Sequence, residues 1–84
     1  MATTFIGRAF RFVYNGKARE AVILGGGVAK RGGHRYYLTY CRLSGGFRTF
    51  QCDPQLGVEI GGPLDHPEEW PAAALEALET AMAS

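Results

Sequence analysis

Through Ile60 the chain alternates apolar and polar residues with a period of two, the spacing of half-buried strands. Phe10, Phe12 and Tyr14 fall on one side of an extended run with Ile6, and Ala9, Arg11 and Val13 fall on the other. This predicts a long strand over Phe5 to Tyr14. Asn15-Gly16 follows, a dipeptide that accepts positive φ and closes a type I′ hairpin. Lys17 to Leu24 then returns as the second strand, ending in Ala21-Val22-Ile23-Leu24. Gly25 to Gly33, with five glycines, reads as a loop holding a short strand at Val28-Ala29.

Arg35 to Cys52 reads as a second hairpin turning at Ser44-Gly45-Gly46. Tyr36, Leu38 and Tyr40 share one face of its first strand, and Tyr37, Thr39, Cys41 and Leu43 share the other. Arg48, Phe50 and Cys52 share a face of the returning strand. Apolar bulk on both faces predicts a central strand in a small, strongly curved sheet. Asp53-Pro54 ends the hairpin, Leu56 to Ile60 forms a short closing strand, and Gly61-Gly62-Pro63 breaks it.

Beyond that break the period changes. Asp65-His66-Pro67-Glu68-Glu69 has the composition of a helix start, but Pro71 disfavours a helical Trp70. A tight turn over 67–70 and a helix from Pro71 to about Met82 are predicted. Leu75, Leu78 and Met82 form its stripe, with Ala74, Ala77 and Ala81 beside it. So short a helix needs tertiary packing, expected across an open end of the sheet with Trp70 as anchor.

At 84 residues the chain is read as one domain, 1–84, with a β-barrel over 5–60 and a turn and C-terminal helix over 64–83. No apolar run approaches the about 20 residues of a membrane span. No basic start precedes a long apolar stretch, so a cytoplasmic protein without membrane contact, monomeric or weakly dimeric, is expected. Cys41 and Cys52 then read as free thiols.

The net charge of +1 hides a strong asymmetry. All nine Lys and Arg residues lie between Arg8 and Arg48, and seven of the eight acids lie from Asp53 onward. Two arrangements follow: a basic surface for an anionic partner, or an acidic tail folded against the basic strands.

Catalytic chemistry finds little footing, and no enzyme is expected. His34 and His66 are far apart and lack metal-ligand spacing, so neither metal nor cofactor is expected. A register centred on Ser44–Gly46 sets Cys41 opposite Thr49 rather than Cys52. The glycine loop lacks the P-loop pattern, and Lys30, Arg31 and Arg35 give it at most a basic lip. What stands out is Tyr36, Tyr37 and Tyr40 between Arg35 and Arg42, with Arg48 on the neighbouring strand. Rings among guanidinium groups suit single-stranded nucleic acid, although rings of this size also fill small cores.

Tyr36-Tyr37-Leu38, Tyr40-Cys41-Arg42 and Arg48-Thr49-Phe50 together resemble the signature of the bacterial WYL domain, a Trp-Tyr-Leu strand followed by an Arg-x-Phe strand. Phe10 to Lys17 resembles that family's opening strand and turn, so the likeness spans roughly residues 10 to 60. Tyr36 stands where the family has Trp, and Gln51 to Leu56 replaces its basic tail. The resemblance implies a five-stranded SH3/Sm-like barrel, here mainly β with a C-terminal α-helix. It also implies a regulatory or sensory module for nucleotides or nucleic acid, used in transcription regulation. Arg35, Tyr40, Arg42 and Arg48 would line the ligand face, with Arg11 beside them. The alternative is a protein-interaction module using a strand edge or the helix stripe.

Overall fold

The computed structural model of the protein describes residues 5–28, 35–51 and 57–83. The described residues form five strands: β1 (Ala9–Tyr14), β2 (Lys17–Val28), β3 (Arg35–Cys41), β4 (Gly46–Gln51) and β5 (Val58–Ile60). They form one antiparallel sheet in the order β4-β3-β2-β1-β5. A 3-10 turn over Pro67–Glu69 and a helix, α1 (Ala72–Ala83), follow the sheet. Ala29, Cys52, the Asp53-Pro54 break and Leu56 lie outside the described residues.

The β1–β2 hairpin closes where Asn15-Gly16 places it, with φ of 53° and 76° and Tyr14 facing Lys17. β1 itself is shorter than the alternation predicts. Gly7 has φ 90°, and the Arg8 amide donates to the Phe5 carbonyl at 2.9 Å, so Phe5 to Arg8 forms a turn before the strand. The turn breaks the parity of the sequence pattern. Ile6 packs with the helix-side core, away from Phe10 and Phe12.

The second hairpin turns earlier than Ser44–Gly46. Residues 42–45 make the loop, Gly45 supplies the positive φ of 71°, and its amide donates to the Cys41 carbonyl at 2.8 Å. Cys41 therefore faces Gly46, and Thr49 faces Leu38 instead of Cys41. The expected register is displaced because the left-handed residue sits at the end of the loop, not its middle.

β2 decides the shape. Its first half pairs with β1 and its second half with β3, and the register shifts between Ile23 and Gly25. Gly25 to Gly27, expected as loop, continue the strand beyond this bulge. Tyr37 faces Gly26, where an added Cβ would come within 2.5 Å of the ring, so the missing side chain is what admits the tyrosine. Phe12 and Phe50 belong to strands with two others between them, and are offset along β2 from Arg19 to Gly26. In a flat sheet that offset would separate them by roughly 25 Å. Their ring centroids are 5.0 Å apart, and Tyr14 meets the same Phe50 at 4.8 Å. The bend at the bulge folds β1 over β4.

One sheet therefore buries both faces. The concave side holds Phe10, Phe12, Ala21, Ile23, Tyr37 and Phe50, closed at one end by Phe5. The outer side holds Ala9, Val22, Leu24 and Tyr40 beneath Trp70, Ala74 and Leu78. α1 thus lies on the back of the sheet rather than across an open end. Ala74 and Leu78 are its buried positions, whereas Met82 is 57% exposed. Small residues at 74, 77 and 81 let the helix approach β2 closely, which leaves the longer Met82 at the rim. Trp70 fixes the entry to the helix, its indole N–H donating to the Gly61 carbonyl at 3.2 Å.

Because Phe50 is the ring that both Phe12 and Tyr14 touch, Phe50→Ala should lower unfolding free energy by about 3–5 kcal/mol. Leu43→Ala, in the exposed loop, should change it by less than about 0.5 kcal/mol. Urea denaturation followed by Trp70 fluorescence measures both.

Candidate ligand-binding surface

The predicted site residues separate into different environments once the sheet curls. Arg11 and Arg42 converge on one carboxylate. Arg11 Nε donates to Glu20 Oε2 at 2.8 Å, and Arg42 donates to Glu20 Oε1 through both Nε and Nη2. The Arg42 amide also donates to the Glu20 carbonyl at 2.7 Å. Its guanidinium stacks over Trp70, 4.8 Å from the ring centre, and reaches Glu69 Oε1 at 3.4 Å. The Glu20 side chain is only 12% exposed. Its pKa is lowered, chiefly by the Arg42 hydrogen bonds and then by Arg11, against an opposing push from burial.

The acidic tail takes up part of the basic half of the chain. Glu69 meets Arg42, and Glu59 on β5 makes a two-point pair with Arg8 at 2.6 and 2.9 Å. Arg8 in turn lies over the Phe5 and Phe10 rings. Of the two arrangements that the charge asymmetry allows, the folded-back tail accounts for Arg8 and shares in Arg42.

Tyr40 is 5% exposed beneath α1 and Trp70, and Tyr37 is equally buried on the concave side. Neither ring can meet a ligand while the helix and the bend stay in place. Arg35 starts β3 opposite Val28, but its side chain, like Lys30, Arg31 and His34, lies outside the described residues.

Among the described residues Arg19 and Arg48 have no carboxylate partner, and the half-buried Arg19 keeps its Nε shielded and unpartnered, so Arg48 is set apart by its exposure. It is exposed on edge strand β4, and among the described residues no carboxylate pairs with it. Its guanidinium donates to the Phe47 carbonyl at 3.2 Å. Beside it Phe47 is 55% exposed, its ring edge-on to Tyr40 at 5.3 Å. Leu38 at 47% and Tyr36 at 39% continue the same face along β3. Residues 35–51 contain three arginines and no acid. The exposed outer face is therefore Tyr36, Leu38 and Phe47, while Arg48, opposite Thr39 and in phase with Phe50, leaves β4 from the other face at its free edge. Sequence reasoning put weight on Tyr40 and passed over Phe47. The expected register set Tyr40 opposite Phe50, and only the displaced loop brings Phe47 opposite Tyr40, so the sequence pattern carried no signal for Phe47.

Cys41 is fully buried at the base of the hairpin loop. Burial pushes its thiol pKa up, but hydrogen bonds from Ser44, Leu43 and Glu20 outweigh this and lower it. A cleft of about 400 Å³ beside β1 and β5 is lined by Arg11, Val13, Ala18 and Val58 and by no residue of the β3–β4 hairpin. No described helix is long and apolar enough to cross a membrane. No protein-family model, curated protein or solved structure matches the chain.

The lowered Glu20 pKa has a definite consequence for acid stability. The unfolded chain binds more protons in this range, so the stability contributed by Glu20 is complete above its ordinary range near pH 4–5. It falls away as pH drops through the lower folded value. Glu20→Gln should reduce stability at pH 7 and flatten the acid limb of the unfolding free energy against pH. An acid limb as steep as that of the unaltered chain would exclude Glu20 as its source.

Proposed function

We propose that the chain is a non-enzymatic binding module that takes single-stranded nucleic acid across the outer face and around the free β4 edge of the β3–β4 hairpin. Its bent sheet is read as an incompletely closed barrel of the SH3/Sm-like kind, the fold that the WYL resemblance implies. The observation that carries the proposal is Arg48, an exposed cation with no carboxylate among the described residues, next to exposed Phe47 on an acid-free hairpin. Tyr36 lies four register positions from Phe47 and one strand away, which places the two Cα positions roughly 14 Å apart. Separate bases can stack on the two rings, with Leu38 between them, while Arg48, on the other face of edge strand β4, reaches a phosphate that passes around that edge. Arg11 and Arg42 serve this reading differently from the sequence expectation: they hold β1, β2 and the helix together through Glu20, and Tyr40 supports Phe47 from below.

The free edge of β4 favours a second reading. The Thr39 hydroxyl donates to the Arg48 carbonyl at 3.0 Å from the β3 side, whereas the Phe47 carbonyl faces outward to the Arg48 side chain. An extended protein segment could pair there by strand addition, with Leu38 and Phe47 as side-chain contacts.

Fluorescence anisotropy with a labelled oligothymidine at several salt concentrations tests the proposal. Binding should weaken linearly in log salt, and Arg48→Gln should reduce the slope by about 0.7. Phe47→Ala should cost about 1–3 kcal/mol of binding with little loss of stability. Arg42→Gln should instead destabilise the fold. Absence of oligonucleotide binding at low salt would overturn the proposal. Salt-insensitive capture of an extended peptide on β4 would put strand addition in its place.

A further inference from the structure

We propose that His66, Glu68 and Glu69 form a surface site for a divalent first-row transition-metal ion of the zinc, nickel or cobalt class. His66 Nδ1 lies 3.7 Å from Glu68 Oε2 and 4.0 Å from Glu69 Oε2, and one donor atom from each residue falls within 4.8 Å of the others. Donors bonded at about 2.1 Å around a tetrahedral ion stand roughly 3.4 Å apart, so small rotations of the two exposed carboxylates close the site. Imidazole with carboxylate oxygen is a ligand set suited to these ions, and three protein ligands leave positions for water.

Two features orient the ligands before any ion arrives. The imidazole packs against Gly61, where an added Cβ would collide with Cδ2 and approach Nε2. The Nδ1 edge is thereby turned toward the glutamates. Glu69 divides its two oxygens: Oε1 accepts from Arg42 at 3.4 Å, and Oε2 faces His66. Arg42 is itself held by Glu20 and stacked on Trp70, so it serves the outer shell that fixes a ligating carboxylate. The backbone is also fixed. The His66 amide donates to Gly62 O at 2.9 Å, and the Glu69 amide donates to His66 O at 3.0 Å. The turn therefore presents residues 66, 68 and 69 together. With neutral histidine the cluster carries two negative charges at close range, and a divalent ion neutralises both. Its sequence form is the run His66-Pro67-Glu68-Glu69, a spacing that escapes a search for paired Cys or His. The site is independent of the hairpin surface.

The test is a titration of the metal-free full chain with zinc chloride at pH 7.5 under a thiol reductant, followed by calorimetry and by amide NMR. Trp70, the only tryptophan, follows Glu69 directly and reports in parallel by fluorescence. Saturable binding should move the amides of residues 65–70. His66→Ala and Glu68→Gln, both on exposed positions, should each weaken it roughly tenfold or more. Gly61→Ala, which displaces the ring without removing a ligand, should weaken it by about 10-fold or more. No saturable binding up to millimolar zinc would overturn the proposal. So would zinc affinity that is unchanged in His66→Ala, which would place the ion on the thiols or on His34.

Discussion

Everything in this molecule depends on the bend in β2. A sheet of five short strands cannot normally bury both faces without a second layer on each side. Here the register shift between Ile23 and Gly25, followed by glycines, turns β2 so sharply that β1 and β4 close over one another. The concave face becomes its own covering layer through Phe12, Tyr14 and Phe50. Only the outer face then needs the helix, and a twelve-residue helix rich in alanine is sufficient because it covers little more than Ala9, Val22, Leu24 and Tyr40.

The strand register organises the charges. It carries Arg11 of β1 and Arg42 of the β3–β4 loop to either side of Glu20 on β2, and Arg42 continues to Trp70 and Glu69 at the start of the C-terminal region. Exposed ion pairs contribute little singly. Here the carboxylate is largely buried, and one guanidinium links strand, loop, indole and turn, so sheet and helix are coupled through it. That coupling withdraws Arg42 from the surface and leaves the hairpin to present Arg48, Phe47, Leu38 and Tyr36. It also holds one oxygen of Glu69 and frees the other for the His66 cluster.

The chain thus carries two outward-facing chemistries on one scaffold. The hairpin is basic and aromatic, and the 66–69 turn is acidic with one imidazole. They are joined through Arg42, which sits between the hairpin loop and the turn. Each accounts for residues that core packing does not use. Phe47 stays 55% exposed beside its edge contact with Tyr40, and His66 packs one edge of its ring against Gly61.

Local chemistry was legible in the chain. Asn15-Gly16 sets its own turn because both residues accept positive φ, the strands follow the two-residue alternation, and Pro71 separates the 3-10 turn from the helix. These outcomes depend on neighbours a few residues away. The second hairpin was displaced because either Gly45 or Gly46 satisfies the local rule, and only the loop hydrogen bond to Cys41 selects Gly45. Strand identity in Gly25–Gly27 was hidden because glycine has no strand preference of its own, and the Tyr37 ring that covers Gly26 comes from another strand. Alternation also placed Tyr36, Leu38 and Tyr40 on one face correctly. It could not say that the helix would cover Tyr40 and leave the other two in water, nor that Arg42 would join Arg11 on Glu20. Exposure and the Arg42 pairing depend on residues distant in the chain, and they were decided when β3 paired with β2 and α1 docked.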